Sequence, residues 1–121
     1  MAQHKIYEMS FSNVYPHYLA KVEKKGRSQD ELHKIVIWLT GHSESILQEA
    51  LDDQRSFKMF FETAPALNPQ RRLITGSICG ERVEDITDPL MQDIRYLDKM
   101  VDELAKGKPI NSIMRKPAAE K

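Results

Sequence analysis

The chain has 121 residues, 40% hydrophobic and 30% charged, with a formal net charge of zero. Such a length holds one core and not two, and the composition is that of an ordinary globular domain. The neutral total weighs against a general binder of nucleic acid or of membrane surfaces, both of which depend on basic excess.

From the N-terminus, Ile6, Tyr7, Met9 and Phe11 suit a short extended segment. Ser12 or Asn13 then opens a helix with Pro16 in its first turn and Val14, Tyr18, Leu19 and Val22 on its apolar side. Lys24, Lys25 and Gly26 read as its end. Ser28 and Glu31 form a capping box. The helix behind it carries Leu32, Ile35, Val36 and Leu39 on one stripe, with Ile37 and Trp38 off it. Apolar groups on several sides predict a central helix with Trp38 in the core. Ser43 caps a third helix that turns Ile46, Leu47, Ala50 and Leu51 inward. Ser56 caps a short segment with Phe57, Phe60 and Phe61, read as a core plug, with an exposed partner patch as the alternative.

Residues 68–80 are ambiguous. Asn68 and Pro69 read as a cap and first-turn proline, Leu73, Ile74 and Ile78 have helical spacing, and Gly80 could stop the helix. The rival is a strand over 72–79, favoured by the β-branched residues and by Gly76, which weakens a helix. Helix is the preferred reading. Residues 81–86 form a connector that packs Val83 and Ile86. Residues 87–107 give the strongest helix signal. Thr87 or Asp88 caps it, Pro89 suits its first turn, and Gly107 and Pro109 end it. Leu90, Ile94, Leu97, Val101 and Leu104 lie on one stripe, widened by Met100 and Ala105, with Arg95, Lys99, Asp102, Glu103 and Lys106 opposite. The fold class expected is mainly α: a small orthogonal bundle of five or six helices with one short extended segment at most. The domain organisation expected is one helical domain over 1–115 and a disordered basic tail over 116–121.

Several phrases occur together: Val-Tyr-Pro-His-Tyr at 14–18, Lys-Lys-Gly-Arg at 24–27, Trp-Leu-Thr-Gly at 38–41, Phe-Phe at 60–61, Ala-Pro-Ala-Leu-Asn-Pro at 64–69, Ile-Thr-Gly-Ser-Ile-Cys-Gly at 74–80 and Ile-Arg-Tyr-Leu-Asp-Lys at 94–99. The set resembles a bacterial family known as Domain of Unknown Function 2200, over roughly residues 4 to 115 in the family's order. The resemblance implies a small, predominantly helical cytoplasmic domain. It implies no reaction, ligand or catalytic residue.

The residues themselves carry little chemistry. His4, His17, His33 and His42 are scattered and the one cysteine cannot build a thiolate cluster, so no metal site and no cofactor is expected. Cys79 reads as a buried inert thiol, and a lone cysteine suits a reducing cytoplasm. No run approaches the roughly 18 to 20 apolar residues of a membrane span, and residues 1–7 lack the apolar core of a secretory signal. Residues 28–53 outline a helix-turn-helix, but its second helix carries Glu44, Glu49, Asp52 and Asp53 and no base, which opposes insertion into a groove of DNA. No catalytic residue is assigned, and the reading leans away from an enzyme. It favours a non-enzymatic protein-interaction module, binding an unknown protein partner or itself, with Tyr96 and residues 57–61 as the candidate self-association surface. The one named site is an anion site at Asn68, Arg71 and Arg72, where a helix start meets two guanidinium groups; the alternative is that both arginines pair with the acidic stretch 81–103.

Overall fold

The structure, a computed structural model, describes residues 8–78 and 80–114. Its architecture is mainly α. Six α-helices among the described residues surround one core: α1 Phe11–Glu23, α2 Gln29–Thr40, α3 Glu44–Asp52, α4 Phe57–Glu62, α5 Pro89–Ala105 and α6 Ile110–Ile113. A 3-10 turn over Pro69–Leu73, a two-stranded hairpin and a second 3-10 turn over Val83–Asp85 link α4 to α5.

The helices start where short polar side chains can accept the unpaired first amides. Ser28 and Glu31 close the capping box on α2, and Ser43, Ser56 and Asp88 cap α3, α4 and α5. α1 starts two residues earlier than expected: Ser10 is the cap, its hydroxyl oxygen accepting from the Asn13 amide. Gly41 ends α2 in the left-handed conformation, and a side chain there would strike the Ala66 backbone. That contact belongs to a loop folded back on the helix end, in which the Ala66 and Asn68 amides donate to the Thr40 and Leu39 carbonyls.

α5 is the centre. It touches α1, α2, α4, α6, the hairpin and the second 3-10 turn. Its expected stripe is buried, apart from the partly buried Leu90 at its start. Burial of Ile94, Leu97, Met100 and Leu104 contributes on the order of 1.5–3 kcal/mol each before entropy is charged against it. Asp93, Tyr96 and Glu103 are buried as well. The polar face drawn for this helix is therefore too wide, and Glu103 is a correction: the helix is enclosed on more sides than its stripe predicts. Phe57, Phe60 and Phe61 are the core plug, with Phe60 stacked on Phe11 at 4.0 Å between centroids. Because these rings and Tyr96 are inside, they offer no surface for self-association.

Two other expectations are corrected. Trp38 is only partly buried, packed against the core from its edge, because α2 gives its inner face to Leu32, Ile35, Val36 and Leu39. Residues 68–80 do not form a continuous helix. The 3-10 turn stops at Leu73, Ile74 turns extended and fully buried, and Gly76 sits at φ +110. β1 (Ser77–Ile78) then pairs antiparallel with β2 (Glu81–Arg82) in the register Ser77 to Arg82 and Ile78 to Glu81. The Gly76 amide donates to Glu84 Oε1 and its carbonyl accepts from the Val83 amide, so a chain reversal replaces the helix. The strand alternative over 72–79 holds only for two residues.

Candidate functional site

Two clusters of polar side chains stand out, one closed and one open. The closed cluster ties the first three helices. Gln29 Nε2 donates to the Tyr15 hydroxyl at 3.0 Å, that hydroxyl lies 2.6 Å from His33 Nε2, and His33 Nδ1 lies 2.8 Å from Glu44 Oε2. One assignment satisfies every atom: Tyr15 donates to Nε2, and the ring carries its proton on Nδ1 and donates to Glu44. Tyr15 and His33 are each 5% exposed. Burial pushes the Tyr15 hydroxyl above its ordinary pKa, with Gln29 opposing, so it stays protonated and stays a donor. A Tyr-His-Glu relay resembles a nucleophile with its base and orienting carboxylate. Here the hydroxyl is sealed between helices, and the arrangement is a structural clasp.

The open cluster lines a groove of about 320 Å³ between α1, α5 and β1, formed by Val14, His17, Tyr18, Lys21, Ile78, Arg95, Asp98 and Val101. Val14, Ile78 and Val101 supply its apolar floor. The one carboxylate in its wall is committed at both oxygens: Asp98 Oδ1 accepts from the Tyr18 hydroxyl and Oδ2 from Arg95 Nη1 at 2.7 Å. At its edge Asp102 accepts from Lys21 at 3.2 Å and from Lys106 at 3.0 Å. Burial works to raise the Asp102 pKa, but the two lysines outweigh it and hold the carboxyl below its usual value. His17 and Lys21 stand exposed at the mouth, one helical turn apart.

The residues named from the sequence are placed otherwise. Asn68 caps the Pro69–Leu73 turn, its side-chain oxygen accepting from the Gln70 amide at 2.8 Å. Arg71 Nε donates to Asp93 Oδ1 at 2.9 Å and Nη1 donates to the Asn68 carbonyl at 3.0 Å; both members of the ion pair are largely buried. Arg72 is exposed and faces the same helix, with Nη1 3.5 Å from Gln92 Oε1 and its charge acting on Asp93 and Tyr96. Asn68 and Arg71 thus meet, but Arg71 is engaged by a residue of the acidic stretch, and five residues of 3-10 turn give a weak dipole. His42 is buried, with Nε2 2.9 Å from the Phe60 carbonyl oxygen. Among the described residues no three of His, Cys, Asp and Glu gather as metal ligands, and no helix is long and apolar enough to cross a membrane. Cys79 and residues 116–121 lie outside the described residues. The helix-turn-helix outline exists as α2, Gly41 and α3, but α3 exposes Glu44, Glu49 and Asp52.

The groove went unread because its wall is assembled from three separated segments. The available signals were a tyrosine on the apolar stripe of α1 and the Arg95–Asp98 pair at i,i+3 beside Val101 on α5.

Comparison with known proteins gives two matches. Residues 5–115 match the family described as "Uncharacterized protein conserved in bacteria (DUF2200)". The crystal structure of uncharacterized protein SP1917 superposes with a TM-score of 0.88 at 47% identity, over 94% of this chain and 93% of that one. No curated protein matches.

Proposed function

This chain belongs to DUF2200, a family of uncharacterized proteins conserved in bacteria, and from its groove we propose that it is a non-enzymatic protein-interaction module of the cytoplasm whose partner docks between α1 and α5. The observation that carries this reading is the commitment of Asp98. A general base must be free to take a proton. Asp98 instead accepts from Tyr18 and Arg95, which supports reading the groove wall as a shaped surface. An apolar floor with a few convergent polar groups is the usual make-up of a binding site.

The test is photo-crosslinking in the protein's own cells. A photoreactive residue in place of exposed His17, at the mouth, is compared with one in place of exposed Glu49 on α3. Discrete protein adducts from the His17 position and not from the Glu49 position are expected. Equal adducts from both positions, or none from either, would remove the reading.

A further inference from the structure

The charge around the groove is not neutral, and this says what kind of chain would dock there. On α1, His17 and Lys21 stand one helical turn apart in the groove lining, and Lys24 and Lys25 follow in the turn that ends the helix. Lys21, Lys24 and Lys25 are exposed. On α5, Arg95 lines the same groove and Lys106 pairs with Asp102 at its edge. Against these cations stand Asp98 and Asp102, and all four of their oxygens already accept hydrogen bonds or ion pairs from Tyr18, Arg95, Lys21 and Lys106. An incoming anion therefore meets carboxylates whose charge is compensated, and ammonium groups with donors to spare. No carboxylate pairs with Lys24 or Lys25 among the described residues. The floor beneath is Val14, Ile78 and Val101, with room for one or two aliphatic side chains.

We propose that the α1–α5 groove takes an acidic segment of another protein, with one apolar side chain on the Val14–Ile78–Val101 floor and flanking Asp or Glu carboxylates on Lys21, Lys24 and Lys25. The proposal rests on the interaction-module reading and adds the chemistry of the partner. Electrostatic complementarity of this kind steers encounter and fixes register.

Amide NMR on the full chain tests it at low salt with three probes: a blocked peptide with one leucine among glutamates, the same peptide with lysines for glutamates, and the glutamate peptide with serine for leucine. The glutamate–leucine peptide is expected to shift amides of α1 and of residues 95–101 only. Its affinity should fall roughly tenfold in the Lys24→Glu, Lys25→Glu double variant. These side chains are solvent-exposed, so the fold persists in that variant. The serine peptide should bind more weakly. Equal binding of the lysine peptide would overturn the charge inference and leave the groove as a docking site. Absence of shifts from every peptide would overturn the acidic-partner proposal, while crosslinking at position 17 would still decide the module reading by itself. Matching shifts from a single-stranded oligothymidine would make the ligand a polyanion and overturn the protein partner. Matching shifts that grow with protein concentration alone would replace it with a second copy of the chain.

Discussion

Ser10 and Ser56 each cap a helix, and each is the other's β partner. The Phe11 amide donates to the Arg55 carbonyl at 2.8 Å and the Phe57 amide donates to the Met9 carbonyl at 2.7 Å, so the starts of α1 and α4 are stitched together by an isolated antiparallel bridge. Just inside it, Phe11 and Phe57 have ring centroids 5.9 Å apart. Removing a serine cap costs about 1 kcal/mol. Ser10→Ala and Ser56→Ala should each lower stability in urea by that amount. The double variant should depart from additivity, because the two caps share one bridge. Strict additivity in a denaturation cycle would show that the bridge does not couple the helices.

The clasp of Gln29, Tyr15, His33 and Glu44 should be sensitive to one oxygen. Tyr15→Phe keeps the ring against Phe11 and deletes the hydroxyl that reaches His33 Nε2. An orphaned buried acceptor costs about 1–3 kcal/mol. Unfolding of the variant measures the loss, and adding His33→Leu should recover part of it by removing the orphaned atom.

Arg71 and Asp93 hold the Pro69–Leu73 turn on α5. Burial pushes the Asp93 carboxyl above its usual range, and Arg71 pulls it only part of the way back. Breaking one side of such a pair leaves a buried charge and costs roughly 3–5 kcal/mol. Arg71→Ala should show this in chemical denaturation. Arg71→Met with Asp93→Leu should approach wild type or exceed it, since the desolvation penalty disappears with both charges.

Glu31 sets an acid limb. Arg27 donates to it through Nε and Nη2, the Ser28 amide adds a further bond, and its carboxyl is held down from 4.5 to about 2. The folded state therefore binds this proton more weakly than the unfolded chain. The stabilisation is fully present above about 4.5 and is lost as pH falls toward 2. Glu31→Gln should be less stable at pH 7 and show a flatter decline across that window. Parallel curves for the two proteins would place the acid sensitivity elsewhere.

Local capping chemistry was readable wherever both partners lie within one turn, as with Ser28 and Glu31, Ser43 and Ile46, or Asp88 and Leu90. Residues 68–80 were not, because what turns the chain there is distant: Glu84 accepts from the Gly76 amide, and Lys99 lies where a Gly76 side chain would go. Tyr18 and Asp98 meet only once α1 lies on α5, and neither helix alone signals the other. Trp38 stood in an apolar run with no periodicity to say which members face out. As the sole tryptophan, it reports this directly. Its fluorescence should be quenched by acrylamide in the folded protein, and Trp38→Ala should cost less than Leu39→Ala, whose expected loss is about 2–5 kcal/mol.

The helix at the centre of the molecule is also the last long one. α1, α2 and α4 pack on α5, which spans Pro89–Ala105, so contacts between α1 and α5 join segments near opposite ends of the described chain. During synthesis the earlier helices emerge before the helix that completes their cover. Closing so long a loop must come before most of the core is gained, which slows folding relative to a bundle of sequential neighbours. The nascent chain thus leaves the α5-facing sides of α1, α2 and α4 uncovered until α5 arrives, an interval in which aggregation and chaperone capture compete with the native fold.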